Sequence, residues 1–147
     1  MKRMTKWLAV LALAVMVVTA FSGCSAGMKD GTYKAEFKDF DDNGWKDYVS
    51  ITVEAGKITA VDYDSLNEAG QKKSEDEAYR GYMEPVANTY PAKFFKELEE
   101  DLLEQQDLKK VDAVAGATTS SVNFKVLALE AIKHARAGNS ETAVVSE

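Results

Sequence analysis

Three stretches in the first half of the chain alternate apolar and polar residues with a period of two. In residues 31–40 the side chains of Tyr33, Ala35 and Phe37 fall on one face, and those of Lys34 and Glu36 fall on the other. Residues 45–54 and 58–63 repeat this alternation, which is typical of half-buried β-strands. Turn-forming sequences at 41–44 and 55–57 join the strands by short connections. The pattern therefore predicts an antiparallel β-meander.

Two later stretches carry apolar residues at the 3.6-residue spacing of an α-helix. The first begins at Pro91, whose missing N–H is harmless at the first helical position, and runs to Gln105. Its apolar stripe is Phe94, Phe95, Leu98 and Leu102, and its outward acidic residues are Glu97, Glu99, Glu100 and Asp101. The second helix is expected to be capped by Ser120 or Ser121 and to end at Gly138. Its core-facing stripe is Phe124, Leu127, Ala128, Ala131, Ile132 and Ala135.

These elements predict one small α+β domain over residues 30–138, in which two or three helices pack on an antiparallel sheet. A chain of 147 residues is long enough for one domain but not for two of ordinary size. The polar residues 67–78 are expected to form an exposed loop that could cover a site. Residues 139–147 are interpreted as a disordered tail.

The amino-terminal end has the pattern of a secretory signal. Lys2, Arg3 and Lys6 precede an apolar run of about 15 residues, which is shorter than the ~20 that a membrane-spanning helix needs. Residues 1–23 are therefore expected to be removed. The chain's only cysteine, Cys24, follows two small residues, and the run Phe21-Ser-Gly-Cys24 resembles a bacterial lipobox.

Cys24 is therefore expected to carry lipid, and two or three acyl chains on one residue hold a protein on a membrane stably. Residues 24–29 would be a short tether, and the domain would face outside the cytoplasm at the cell membrane. A single exported cysteine cannot form an internal disulfide. The alternative is an incidental thiol or one that pairs with another molecule.

The charge of the chain argues against nucleic acid as a partner. Acidic residues outnumber basic ones by 24 to 18, and the net charge is −6; removing the three basic residues of the signal makes it −9. Nucleic-acid phosphates need cationic neutralisation, which such a body does not provide.

Most polar groups of the chain do not form a recognisable site. His134, the only histidine, lies off the apolar stripe and is expected on a solvated face, so it is a poor metal ligand or catalytic base. Residues 39–44 match the first half of a calcium loop, but position 12 would be Ser50 instead of a bidentate glutamate, and a hairpin turn explains them better. Lys72 and Lys73 fall in a dipolar run typical of a solvated loop.

The run at 111–121, VDAVAGATTSS, has the residue types of a phosphate site. Gly116 lets the backbone turn tightly and approach a ligand. The hydroxyls from Thr118 to Ser121 and the unpaired N–H groups of a helix start would converge on one spot, and helix N-termini attract phosphate. The plainer alternative is a linker followed by a helix cap.

This run resembles the flavinylation motif of the FMN-binding domain family, D-x-x-S/T/A-G-A-T before a helix. The resemblance implies that a flavin transferase, using FAD, esterifies the FMN phosphate to Thr118. Asp112, Gly116 and Ala117 would form the recognition frame, and Ala115 stands where serine is common. Thr119, Ser120 and Ser121 would complete the cofactor-binding segment.

The resemblance extends over about residues 30–138. The sequences at 30–33, 44–46 and 56–58 are similar to the lipoprotein branch of the family, which serves flavin-based extracellular electron transfer. It implies a carrier without catalytic side chains that takes electrons from a membrane donor, such as a quinone-linked dehydrogenase, and passes them to external acceptors. Aromatic candidates for stacking on the flavin are Trp45, Tyr63, Tyr79, Tyr82 and Tyr90.

Two other functions are compatible with the sequence. One is a surface lipoprotein that binds a ligand or partner and holds no redox group. The other is a precursor whose cleaved apolar signal segment becomes a signalling peptide.

Overall fold

The computed structural model describes residues 27–146, and its first three strands confirm the predicted meander. They are β1 (Gly31–Phe37), β2 (Lys46–Glu54) and β3 (Lys57–Leu66). β2 pairs antiparallel with both β1 and β3, so that Ala35 lies opposite Val49 and Val49 opposite Tyr63. Apolar side chains at alternate positions of the three strands face the helices, as the alternation of the sequence predicts.

The turn between β1 and β2 explains the calcium-like sequence at 39–44. The Asp41 carboxylate accepts hydrogen bonds from the N–H groups of Asn43 (2.8 Å) and Trp45 (2.9 Å). Gly44 has a φ of 80°, which favours glycine. The acidic side chain therefore stabilises a hairpin turn, and residues 27–146 contain no group of three or more potential ligands that could hold a metal ion.

The prediction of a disordered tail at residues 139–147 is wrong for Ala143–Val145, which form a strand. After Gly138 the chain turns back and forms β4 (Ala143–Val145), which pairs parallel with β1. The sheet order is β3-β2-β1-β4, so the sheet is mixed instead of purely antiparallel. The pattern of the sequence did not predict β4 because three residues are too few to establish a period.

Three α-helices are present in the described part of the chain: α1 (Glu77–Ala87), α2 (Pro91–Gln105) and α3 (Thr118–Ala137). α2 has the predicted bounds. The loop expected at 67–78 is instead interrupted by a 3₁₀ turn at Lys73–Glu75, and α1 begins before it ends. The Asp76 carboxylate caps α1 by accepting a hydrogen bond from the N–H of Tyr79 (2.9 Å). No residue of α1 is buried, but Tyr79, Tyr82, Met83 and Val86 recur at helical spacing, a signal for this helix that sequence reasoning missed.

The core lies between one face of the sheet and the helices α2 and α3. The predicted stripe of α3, from Phe124 to Ala135, is buried, and so is the stripe of α2. Tyr63 packs between them, with its ring centroid 4.6 Å from that of Phe95 and 5.1 Å from that of Phe124. Glu99 does not point outward as expected: its carboxylate accepts a hydrogen bond from the N–H of Tyr63 (2.7 Å).

α3 runs the length of the sheet and thereby fixes the positions of its two ends. Near its start, the side-chain amide of Asn123 donates to the Asp47 carboxylate at the beginning of β2 (3.0 Å). Near its end, the carbonyl of Ala135 accepts from the N–H of Lys29, just before β1 (2.9 Å). Twenty residues at 1.5 Å each make α3 about 30 Å long. The start of α3 and the start of the described chain therefore lie at opposite ends of the domain.

Candidate functional site at the start of α3

The helix start differs from the expected one. α3 begins at Thr118, and Ala117 occupies the N-cap position, so neither Ser120 nor Ser121 caps the helix. The four hydroxyl residues from Thr118 to Ser121 instead form its first turn. A tight turn precedes the helix, in which the N–H of Ala117 donates to the carbonyl of Val114 (3.0 Å).

Ser121 fastens this turn to the helix. Its hydroxyl is buried, accepts a hydrogen bond from the N–H of Val114 (3.0 Å) and donates to the carbonyl of Ala117 (2.8 Å). Both bonds are internal to the segment. Ser121 therefore shapes the loop, a positioning role that the sequence did not reveal.

Gly116 has no room for a side chain. Its φ is 83°, and a Cβ there would lie 2.5 Å from the carbonyl oxygen of Ala87 and 3.1 Å from a methyl carbon of Thr89. The predicted tight turn is confirmed. The close neighbours are the end of α1 and the connection to α2, so Gly116 serves packing as well as conformation.

The first turn of α3 presents donors and hydroxyls to solvent. Thr118 and Thr119 are exposed, and Ala117 beside them is buried. The N–H groups of Thr118, Thr119 and Ser120 have no hydrogen-bond partner among residues 27–146. Unpaired N–H groups at the positive end of a long helix suit a phosphate, so the residues present fit the phosphate end of FMN.

A cavity of about 570 Å³ adjoins the segment on the side of α1 and α2. Asp112 and Gly116 line it, together with Thr89, Lys93 and Asp101. The carboxylate of Asp101 accepts a hydrogen bond from the N–H of Asp112 (2.9 Å), which holds the exposed Asp112 at the rim. Within the described chain, the hydroxyl of Thr89 is the only buried side-chain polar atom without a hydrogen-bond partner.

A polar network beneath the first turn holds α3 against the sheet. The Tyr63 hydroxyl lies 2.8 Å from the carbonyl of Ser120 and 2.9 Å from the Asp47 carboxylate, so its one hydrogen serves both acceptors. The same carboxylate accepts from the Ser65 hydroxyl and from Asn123. Burial, followed by the charge of Asp47, raises the pKa of Tyr63 well above its usual value and keeps it a neutral phenol.

Tyr63 is therefore a positioning residue of the core, and its buried ring is not free to stack on a cofactor. Sequence reasoning missed its partners Asp47, Ser65 and Asn123. One signal was available: Asp47 lies two residues before Val49 in the apolar alternation of β2, so its carboxylate had to face inward.

Among the aromatic candidates, Trp45 and Tyr79 meet in a second cluster. Their ring centroids are 6.4 Å apart, and the Lys73 ammonium lies 5.4 Å from the centroid of Trp45 and 4.4 Å from that of Tyr79. Trp45 precedes Asp47 by two residues, which places the cluster at the end of the sheet where α3 begins. Tyr82 is exposed, and Tyr90 lies under the guanidinium of Arg80 at 4.2 Å.

Lys73 departs from the solvated loop expected for it. Only 8% of the residue is exposed, and no carboxylate pairs with it in residues 27–146. Lys72 next to it lies 4.0 Å from an Asp62 carboxylate oxygen. The 3₁₀ turn that carries Lys73 is tied to β3 through Asp64, which accepts from the N–H (3.2 Å) and the hydroxyl (2.5 Å) of Ser74.

Two carboxyl groups near this turn have raised pKa values. Burial raises the pKa of Asp64 above its usual value of 3.8, against the opposing hydrogen bonds from Ser74 and Ser65. Burial likewise raises the pKa of Glu99, and the charges of Asp62 and Asp64 add to the effect. Both groups therefore hold their protons more tightly in the folded protein.

The other predicted positions lie outside this site. His134 is half-buried near the end of α3, and its Nδ1 lies 2.9 Å from the carbonyl oxygen of Glu141. The signal at 1–23 and Cys24 fall outside the residues that the structure describes. Among residues 27–146, none of the helices combines the length and the hydropathy that a membrane span requires.

The fold and the site together define a small α+β domain with a phosphate-suited helix start. The model of the FMN-binding domain matches residues 44–133, and the chain belongs to that family. The matched region includes the helix start, the Tyr63 network and the Lys73 cluster.

Two relatives extend the comparison. A 15 kDa lipoprotein of Treponema pallidum (strain Nichols) is 38% identical over 132 residues, which cover 89% of this chain and 94% of the relative. The crystal structure of a Clostridium perfringens protein superimposes with a TM-score of 0.79 at 39% identity and covers 82% of this chain and 98% of that one. The chain is therefore a flavin-binding protein by family and is similar to a lipoprotein.

Proposed function

We propose that this protein is a membrane-anchored electron carrier, with FMN bound through a phosphoester to the hydroxyl of Thr118. The observation that carries the proposal is the exposed Thr118 hydroxyl on the first residue of α3, beside three N–H groups without partners. The family of the chain supplies the identity of the cofactor.

The attachment balances as a phosphoryl transfer from FAD. A flavin transferase moves the FMN phosphoryl group to the Thr118 oxygen, the pyrophosphate bond of FAD breaks, and AMP leaves as the threonine proton is released. The N–H groups of the first turn would then hold the phosphate oxygens. Asp112, Gly116 and Ala117 would present the threonine to the transferase in the turn that Ser121 fastens.

A covalent bond suits a protein that works outside the cytoplasm. A noncovalent cofactor dissociates according to its Kd when its surroundings contain none. An ester removes that equilibrium and permits a partly exposed ring that partners can approach. Bound FMN supplies the redox chemistry, and the protein supplies tether, orientation and electrostatics.

The cluster of Trp45, Lys73 and Tyr79 would face the ring end of the cofactor. It offers aromatic surface and a buried cation that no carboxylate neutralises in residues 27–146. A positive charge favours the additional negative charge of a reduced ring. These residues would orient the cofactor and tune its potential without acting as acid, base or nucleophile.

The partners follow from this role. A lipid on Cys24 would hold the protein at the cell membrane, facing outside the cytoplasm. A membrane donor, such as a quinone-linked dehydrogenase, would deliver electrons, and external acceptors would take them. The protein would carry electrons instead of turning over a substrate of its own.

One observation favours a second candidate, a lipoprotein that binds a small polar ligand. Thr89 lines the 570 Å³ cavity beside Asp112, and its buried hydroxyl has no hydrogen-bond partner among residues 27–146. A ligand with a hydrogen-bond donor or acceptor would satisfy that group. In this case the helix start would be structural and the protein would be colourless.

The test is the intact mass of protein extracted from membranes of cells that also make the transferase. Wild-type protein should carry the mass of one FMN ester and stay yellow after SDS denaturation. Thr118→Ala should lose both signals completely and still fold, because an exposed side chain contributes little to stability. Thr119→Ala, the neighbouring exposed threonine, should keep them. Full FMN in the Thr118→Ala protein would refute the assignment, and colourless wild-type protein would favour the second candidate.

A further inference from the structure

A groove of about 580 Å³ runs along the flank of α3, and none of the residues of the Lys73 cluster lines it. Its floor includes Met28, Val126 and Leu129. Val126 and Leu129 are 39% and 43% exposed, although both are large apolar residues of a core helix. Together with Val122, which is 55% exposed, they form a stripe at spacings of four and three on the outer side of α3. This surface leaves apolar area in water.

Basic side chains surround that apolar floor. Lys109, Lys125 and Arg136 line the groove, and none of them forms an ion pair within residues 27–146. The one acidic residue in the lining is Asp107, whose carboxylate accepts a hydrogen bond from the N–H of Lys109 (3.0 Å). Unpaired cations are concentrated here on a protein whose net charge is negative. A binding partner that matches this surface would be apolar where it meets the floor of the groove and anionic where it meets the basic side chains.

The beginning of the described chain lies in the same groove. Met28 lines it, and the next residue is fixed to the end of α3 by two bonds of Lys29: its N–H to the carbonyl of Ala135 (2.9 Å) and its ammonium to that of Ala137 (3.3 Å). Cys24 precedes Met28 by four residues. Four residues span at most about 14 Å. A lipid on Cys24 would therefore hold the groove within that distance of the bilayer.

We infer that the groove docks on the bilayer surface, with Val126 and Leu129 in the interface and the basic rim against anionic phospholipid headgroups. This inference rests on the lipid anchor of the proposed function. Apolar side chains ringed by Lys and Arg bind membrane interfaces through area and charge together. The anchor raises the local concentration of lipid surface, so even a weak docking contact is occupied.

The test uses a label whose environment reports on lipid. Because Cys24 is the only cysteine and its thiol would be acylated, Val126→Cys gives one reactive site in the mature lipoprotein. A fluorophore there should be quenched several-fold more by nitroxide-bearing lipids in phosphatidylcholine–phosphatidylglycerol vesicles than in phosphatidylcholine alone. High salt should reduce the difference.

The control is a label at Val144→Cys. Val144 is also an exposed valine, but it lies on β4, the edge strand farthest from β3, and opposite Glu36 on the outer face of the sheet. It should show little quenching in either vesicle. A Lys125→Glu, Arg136→Glu variant should still float with vesicles through its anchor and should lose the phosphatidylglycerol dependence at position 126.

Three outcomes would overturn the inference. Equal quenching at positions 126 and 144 would mean that the domain has no preferred face toward lipid. Shielding of position 126 from an aqueous quencher without lipid quenching would indicate that a second copy or another protein covers the groove. Wild-type protein that fails to float with vesicles would remove the anchor itself, whereas flotation with either of the first two results would leave the anchor intact.

Discussion

Gly116 determines both the backbone conformation before the proposed attachment residue and the packing of that segment against α1. It gives the turn before Thr118 its positive φ, and it also lets that turn touch the end of α1. The sequence predicted a tight turn at this position because glycine adopts backbone conformations that other residues rarely do. It could not predict the contact with Ala87, because Ala87 lies 29 residues away in the sequence and only the fold brings the two residues together.

Gly116→Ala should destabilise the protein by about 2–4 kcal/mol, since it adds a clash with the Ala87 carbonyl to an unfavourable φ. Urea unfolding measures the change. Gly70→Ala is the matched control, because Gly70 has a similar φ of 77° with no atom within 4 Å of the added carbon. It should cost about 1 kcal/mol. Equal losses in the two variants would show that the contact with α1 contributes nothing.

Sequence reasoning could identify the residues of the site whose role depends on their neighbours in the sequence, but not those whose partners are distant in the sequence. Thr118 and Gly116 stand in a short contiguous motif, so sequence reasoning could single them out. Tyr63, Asp47 and Asn123 come from three elements that only the fold brings together. Lys73 was assigned to a solvated loop because its neighbours are charged, yet Trp45 and Tyr79 bury it.

At the scale of elements, the mixed sheet depends on the short strand β4. Its residue Ala143 lies opposite Ala35 of β1 and is 7% exposed on the helix side. Its neighbour Val144 points the other way and is 61% exposed. The strand therefore covers an edge of β1 that would otherwise be open to pairing with another chain.

Ala143→Asp should destabilise the domain by about 2–4 kcal/mol, because it places a charge in the core without a partner. Val144→Asp introduces the same side chain one residue later on the solvent face and should change stability by about 0.5 kcal/mol. Thermal unfolding of the two variants makes the comparison. A small loss for Ala143→Asp would mean that β4 separates readily from the sheet, as the predicted disordered tail would.

The elements that the sequence predicted are those with enough residues to show a period. The three antiparallel strands, α2 and the buried stripe of α3 all met this condition. The start of α3 was placed late because Ser120 or Ser121 was assigned to its cap, whereas the structure puts both inside the first turn. Local bonds of the Ser121 hydroxyl to Val114 and Ala117 hold the preceding turn against the helix start.

For the molecule as a whole, buried carboxyl groups make stability depend on pH. Asp64 and Glu99 have pKa values raised mainly by burial. A raised value means that the folded state binds the proton more tightly than the unfolded state does. The contribution of such a group to the free energy of unfolding therefore falls as pH rises from the pKa of the unfolded state through the higher pKa of the folded state.

Asp64→Asn removes one of these charges and retains an oxygen that can accept from the N–H groups of Ser65 and Ser74. Wild-type protein should lose stability relative to this variant as pH rises from 3.8 to neutrality. Wild-type protein should likewise lose stability relative to Glu99→Gln as pH rises. The measurement is the free energy of unfolding in urea at a series of pH values. If wild-type protein instead became more stable relative to both variants as pH rises, the raised pKa values of Asp64 and Glu99 would be contradicted.

One face of α3 carries both the proposed attachment residue and the groove. Thr118 precedes Leu129 by eleven residues and Arg136 by eighteen, and at 100° per residue all three point within about 20° of one direction. A domain whose groove contacts the bilayer would thus turn Thr118 toward partners in the membrane. A domain that rotates away from the bilayer on its lipid tether would turn Thr118 toward water. The equilibrium between these two orientations would then decide whether the proposed flavin is accessible to its electron donor or to its acceptor.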